Sequence, residues 1–363
     1  MIDRGTFREI DWVLIGLLIA NSIIGIIFIF SSSHLLPGNY AVKQAIFLVV
    51  SLALLFLILT VDYKVLMAYS LHFYLVVTVV LVGMLLFAKL VAHTKSWIKL
   101  PFFQVQPSEL AKIALILLLA RVFSEYKKAS LTSNVGGQAI LIMLGPFILV
   151  AAQPDLGTAL TFLPILLAAL ILAGLRKKTI AILLVVSLAA GVVTWNSALK
   201  DYQKKRLTTL FYPSQDPKGA GYHILQSKIA IGSGGLTGKG FLKGSQSQLR
   251  FLPARHTDFI FSVIGEEFGF LGVFFVILLF FLMLARMFLS VGMARDRPGV
   301  YIIFMASMLI AFQFVVNVLM IIGLFPVTGV PLPFLSYGGS SLVSNFLAVG
   351  LVINVRMRRF ANV

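Results

Sequence analysis

WVLIGLLIANSIIGIIFIF, residues 12–30, is the stretch whose reading decides the fold. No charge interrupts it, and its length approaches the ~20 residues an α-helix needs to cross about 30 Å of hydrocarbon. The run follows Arg4 and Arg8 as a secretory signal does. It reaches Ser31-Ser32-Ser33 without a small-residue cleavage site, so we read it as a retained first helix.

Comparable runs follow at Val42–Val61, Ala68–Leu90, Pro107–Ser124, Gln138–Ala152, Gly157–Leu175 and Thr179–Leu199, then at Phe259–Leu289, Val300–Leu324 and Ser336–Val355. With 59% hydrophobic and 12% charged residues, the chain lacks the polar surface a water-soluble domain carries. The expected architecture is all-α: a polytopic membrane protein of about ten helices forming a single domain over residues 1–363. An even number of crossings puts both termini on one side.

The net charge of +17 does not indicate nucleic acid, because the basic residues sit in short blocks between apolar runs. Arg4/Arg8, Lys64, Arg121/Lys127/Lys128, Arg176/Lys177/Lys178, Arg295/Arg297 and Arg356/Arg358/Arg359 fall on one face, which the positive-inside rule makes cytoplasmic. The stretch Lys200–Thr257 between the seventh and eighth helices lies on the other face, with ten Lys/Arg and two Asp. Its apolar residues (Ile224, Ile229, Ile231, Leu236, Phe241, Phe251) predict an extracytoplasmic loop folded against the membrane surface. There is no cysteine, and His34, His72, His93 and His223 are isolated in sequence, which argues against a dedicated metal site.

Five segments carry polar residues where they cost most. In Gln106-Pro107-Ser108-Glu109-Leu110-Ala111-Lys112, Glu109 and Lys112 share a helix face at i,i+3, either as an intrahelical ion pair or as a substrate-facing site. Gln153-Pro154-Asp155-Leu156-Gly157 reads as a tight turn with Asp155 capping the next helix, or as a polar cavity lining. In Phe251–Phe261, Asp258 is either the N-cap of the eighth helix or a general base at an apolar boundary beside a cationic loop. Ile231–Gly240 departs from a P-loop at Ser233 and Gly240; its glycines suit a flexible turn or backbone binding of a pyrophosphate. Gly329–Ser341 is a Pro/Gly-rich re-entry, a turn or a cavity wall.

Taken together, Gln106–Lys112, Gln153–Thr158, Gly221–Gly240, Gln246–Phe261 and Gly329–Ser341 resemble, in order and topology, the SEDS family (shape, elongation, division, sporulation). The resemblance covers nearly the whole chain. Gln153-Pro154-Asp155 and Tyr222–Lys228 look like the elongation member rather than the division member. It implies a peptidoglycan glycosyltransferase of the bacterial cytoplasmic (inner) membrane that joins lipid II into β-1,4 glycan on the outer leaflet. Asp258 matches the family's essential carboxylate, which deprotonates the acceptor 4-hydroxyl as undecaprenyl pyrophosphate leaves the donor. Glu109 and Lys112 match its fourth-helix pair, with the lysine toward the pyrophosphate. Gln106, Ser108, Arg255, His256, Lys239, Ser336 and Tyr337 are the further candidate substrate-binding residues. No tightly bound cofactor is implied, although a divalent cation (Mg or Mn) can accompany the pyrophosphate; the implied partner is a class B penicillin-binding protein, the transpeptidase. The chain departs from the family where Ser96 stands before Trp97 in place of a usual arginine, leaving Lys95 as the candidate substitute. A lipid II transporter or a non-catalytic scaffold are the competing functions; no repeat symmetry between halves supports the first.

Overall fold

The computed structural model describes residues 9–88, 94–99, 104–125, 133–174, 204, 208–210, 212, 219–252 and 254–359. Every expected span has a helix beneath it except Thr179–Leu199, which lies outside the described residues. In chain order these are α1 (Trp12–Ser33), α2 (Tyr40–Thr60), the short α3 (Tyr63–Ala68), α4 (Ser70–Phe87), α5 (Pro107–Glu125) and α6 (Ser133–Ala152). Then come α7 (Leu156–Leu160), α8 (Phe162–Leu172), α9 (Ala220–Gly234), α10 (Ser245–Gln248), α11 (Ile260–Val291), α12 (Arg297–Ile321) and α13 (Gly339–Met357). A two-residue antiparallel pair, β1 (Ile98–Lys99) and β2 (Gln104–Val105), precedes α5 with Ile98 opposite Val105.

Seven of the described helices are long and apolar enough to cross a membrane. Their outward side chains, among them Val49, Phe87, Leu141 and Phe281, are exposed, which in water would be a costly apolar surface and in lipid is a solvated one. The chain is an integral membrane protein. Helix α13 forms the axis, 83% of its most apolar window being buried against 22% for the peripheral α4. It packs chiefly on α2, with α5 and α12 completing the centre. α5 carries too much charge to pass as a span by composition, yet nearly all of it is buried in protein, where Glu109 and Lys112 find each other instead of lipid.

Three local departures from straight helices have identifiable causes. The expected helix Gly157–Leu175 is broken at Thr161 into α7 and α8, because Pro164 has no N–H for the Leu160 carbonyl and its ring crowds it. α6 stays continuous through Pro146, and the Ile142 carbonyl that the proline leaves without its helical donor accepts the Tyr74 hydroxyl at 2.7 Å. α11 kinks at Gly269 (φ 62°, ψ −155°), so its first turns are wholly buried and the part beyond the kink faces outward through Phe270, Phe274 and Phe281.

The described part of the long loop is folded. α9 lies along the start of α11, with the Ser227 and Ser262 hydroxyls 2.8 Å apart and Ser227 donating to the Ile321 carbonyl at 2.8 Å. At the opposite end of the bundle the two ends of the described chain meet. Arg359 pairs with Glu9 at 2.7 Å, and Asp11, the N-cap of α1, accepts from Arg286 at 2.9 Å and from Arg356. Lys64–Asp296 and Arg358–Asp62 pairs lie at the same end.

Candidate active site

The site forms around the irregular segment between α12 and α13. Asn317, buried near the end of α12, donates from one amide nitrogen to the Asp258 carbonyl (3.0 Å) and the Val330 carbonyl (2.8 Å). Ser336 donates to the Thr257 carbonyl at 2.6 Å and accepts from the Leu332 N–H at 2.9 Å, and the Tyr337 N–H donates to the His256 carbonyl at 2.9 Å. Gln44 of α2 closes the frame, donating to the Ser336 carbonyl and accepting from the Gly338 N–H, both at 3.2 Å. Non-helical backbone at this depth is therefore paired, as burial in a membrane protein requires. Close approach also needs glycine: a methyl on Gly25 of α1 would sit 2.7 Å from the Leu335 Cα.

Asp258 is half-buried in the turn before α11. The residue at the N-cap position of α11 is Phe259, one beyond Asp258. The Asp258 Oδ2 lies 3.7 Å from where a Gly329 side chain would begin; Gly329 has φ +73° and leaves that approach open. One residue earlier, the Thr328 carbonyl packs so closely on Gly157 that a methyl there would collide with it. The segment thus touches Asp258 on one side and the Asp155–Gly157 turn on the other.

On that second side lies a polar cluster in which Gln106, Glu109 and Lys112 are buried and Asp155 is half-buried. Asp155 does cap α7, accepting from the Thr158 N–H at 3.2 Å, and it also accepts from Gln106 Nε2 at 2.9 Å. Burial raises its carboxyl above the usual range, hydrogen bonds from Thr158 and Ser96 oppose this, and nearby Glu109 adds to the rise. Ser96, where the family's arginine is usual, therefore faces Asp155, while Lys95 donates to the Leu85 carbonyl at 3.2 Å. Glu109 and Lys112 are buried and 2.7 Å apart, each making its ion pair with the other. Ser108 is buried beside them without a hydrogen-bond partner among the described residues. The Ser340 hydroxyl accepts from the Gln106 N–H at 3.1 Å, tying this cluster to the start of α13.

Two candidates are committed elsewhere. Arg255 is buried and donates to the Ser32 and Ser247 carbonyls, each at 2.5 Å, pinning the turn that carries Asp258 onto α1 and α10. Lys239 pairs with buried Glu266 at 2.8 Å, and Glu266 also accepts the Gln246 and Ser247 N–H groups. The glycine run around Lys239 is docked against α11. The Lys239 and Gly240 N–H groups donate to the Glu266 and Glu267 carbonyls, and Gly234 and Gly238 press against α11 backbone where no side chain fits. Gln44, Asn317 and the second role of Asp155 were not foreseen; isolated buried amides carry no sequence signal, and a capping aspartate looks the same whether or not another side chain reaches it.

The family model for FtsW, RodA and SpoVE, described as a cell cycle protein, matches residues 11–360. The chain belongs to this family. It is 42% identical over 289 residues to the peptidoglycan glycosyltransferase MrdB of Escherichia coli (strain K12), covering 79% of this chain and 78% of that protein. The rod shape determining protein RodA of Thermus thermophilus is similar in structure, with a TM-score of 0.73 at 28% identity over 97% of this chain and 98% of that one. A chain from a peptidoglycan synthase complex that coordinates polymerisation and crosslinking matches with a TM-score of 0.83 at 29% identity, covering 97% of this chain and 99% of that chain. In this SEDS protein, Gln106, Asp155, Asp258, Ser336 and Tyr337 lie around the segment between α12 and α13.

Proposed function

We propose that this protein is a peptidoglycan glycosyltransferase that joins lipid II into β-1,4 glycan during cell-wall elongation, with Asp258 as general base. The observation that carries this is half-buried Asp258 at the start of α11, with its Oδ2 facing the open side of Gly329. A base must reach its proton: here the acceptor's 4-hydroxyl gives its proton to Asp258 as its oxygen attacks the donor's anomeric carbon. The C–O bond to the pyrophosphate breaks, and undecaprenyl pyrophosphate leaves. Asn317 and Ser336 hold the backbone of the base, and the Gln106–Asp155 and Glu109–Lys112 pairs form the polar wall across the segment. Lys112 meets the leaving group's charge in this reading by exchanging part of its interaction with Glu109 for the phosphate oxygens.

A divalent cation, Mg or Mn, enters with the substrate's pyrophosphate. In this reading the substrate's phosphates hold it, as they do for a Mg²⁺ that keeps most of its waters. The partner is a class B penicillin-binding protein, supported by the likeness to a chain of a peptidoglycan synthase complex. Both termini lie in the cytoplasm of the bacterial inner membrane, supported by the basic residues gathered at the end opposite Asp258.

The test uses purified full-length protein with its transpeptidase partner and labelled lipid II, in the presence of moenomycin. Wild type is expected to make polymer, and Asp258→Asn to lose about 10²- to 10⁴-fold in rate. A correctly folded Asp258→Asn protein with wild-type rates would remove Asp258 as the base, and a wild type that makes no polymer would remove the reaction.

A further inference from the structure

We propose that Tyr40, His256 and Tyr337 form an aromatic platform that stacks on a sugar ring of the acceptor glycan and holds its hydroxyl toward Asp258. This rests on the glycosyltransferase reading above and adds to it a residue of α2, Tyr40, and a recognition chemistry.

The three rings come from three separate elements and meet at one place. Tyr40 and His256 ring centroids are 4.8 Å apart, Tyr40 and Tyr337 are 5.1 Å apart at 87°, and His256 and Tyr337 are 5.8 Å apart. All three side chains are half-buried, so the cluster keeps exposed ring surface. The core pairs Phe123–Tyr301 and Phe334–Phe346 differ in this respect, being almost completely buried apolar packing. Half-exposed rings with polar tips suit a ligand that is apolar on one face and hydroxylated at its edge.

A β-linked pyranose is such a ligand. Its axial C–H groups present a weakly positive apolar face that complements the negative face of an aromatic ring, while its equatorial hydroxyls point outward to polar partners. His256 carries a polar ring edge in this cluster, its Nδ1 being buried with no hydrogen-bond partner among the described residues. Burial, reinforced by Arg255 next to it, lowers the His256 pKa, so the ring is neutral at pH 7 and stacks as an uncharged aromatic.

The platform's position relative to the base is fixed covalently and by hydrogen bonds. His256 is two residues before Asp258, the Tyr337 N–H donates to the His256 carbonyl, and Gln44, one turn after Tyr40 on α2, bonds on both sides of Tyr337. A sugar resting on these rings lies beside the turn that carries Asp258.

The decisive comparison is Tyr40→Phe, which keeps the ring, against Tyr40→Leu, which keeps apolar bulk and removes it. Rates are measured over a range of lipid II concentrations, with chain length read on gels, for full-length protein with its transpeptidase partner. Tyr40→Leu is expected to raise the half-saturating lipid II concentration about tenfold and shorten the chains, with the maximal rate within about twofold of wild type; Tyr40→Phe is expected to stay within about twofold in every measure. A Leu variant indistinguishable from wild type, or a Phe variant as impaired as Leu, overturns the platform while leaving the glycosyltransferase reading standing. Polymer absent from wild type overturns that reading, and the platform with it. Thermal unfolding followed by tryptophan fluorescence reports whether each variant is folded. Should Tyr40→Leu not fold, the pair Tyr337→Leu and Tyr337→Phe carries the same comparison with the same outcomes.

Discussion

Glu109 and Lys112 show what a buried charge pair does for a membrane helix. Each charge alone at the centre of a span costs about 2.5–3.5 kcal/mol on insertion scales, and here the two are 2.7 Å apart inside α5 with almost no exposure. Removing one partner leaves the other buried and uncompensated. Glu109→Gln or Lys112→Met alone is therefore expected to lower stability by about 3–5 kcal/mol, and the double variant to recover most of it. Thermal unfolding of the three variants in detergent checks this, and lipid II polymerisation measured alongside separates the roles: a double variant that is stable and inactive places the pair in the chemistry. At this scale the sequence was informative about pairing, because i,i+3 spacing on a helix puts two side chains side by side. It was uninformative about Arg255 and Lys239, whose partners (the Ser32 and Ser247 carbonyls, and Glu266) are reached only through the fold.

Among the elements, the glycine run joining α9 to the loop beyond it has a role that composition alone misstates. Gly238 has φ +80° and its Cα presses against the Glu267 backbone, whereas Gly232, on the exposed side of α9, has nothing within 4 Å of an added methyl. Gly238→Ala is expected to cost at least about 2 kcal/mol and to reduce polymerisation, while Gly232→Ala is neutral or stabilising by about 0.5–1 kcal/mol. Melting temperatures of the two variants provide the check, and equal values would mean that the run does not dock on α11 as described. The helices beneath the expected spans were legible from hydropathy, whereas α9, inside the long loop, was not. The breaks were not: Thr161 and Gly269 lie inside the expected spans Gly157–Leu175 and Phe259–Leu289, and a single proline acts differently in α6, where Tyr74 supplies the missing donor, than at Pro164.

For the whole molecule, the arrangement of charge is the main lesson. Asp11 receives Arg286 and Arg356, and Arg359 pairs with Glu9, so the two ends of the described chain are laced at one end of the bundle while Asp258 occupies the other. The basic residues there set the orientation that we propose, and because the chain has no cysteine, single cysteines report it directly. An impermeant maleimide is expected to label Phe251→Cys in intact spheroplasts and Met293→Cys only after permeabilisation; both positions are exposed, and the reverse pattern would invert the topology. The sequence by itself determined that this is a helical membrane protein and which segments are polar at a cost, because a bilayer penalises every unpaired backbone group and every charge in a way that leaves long apolar runs and rare polar motifs. Only the tertiary structure decided which motifs share a site. The distance from Asp258 to the Gln106–Asp155 cluster is set by where Thr328 and Gly329 pass between α7 and the turn before α11, contacts between residues far apart in the chain that depend on packing and leave no periodic trace.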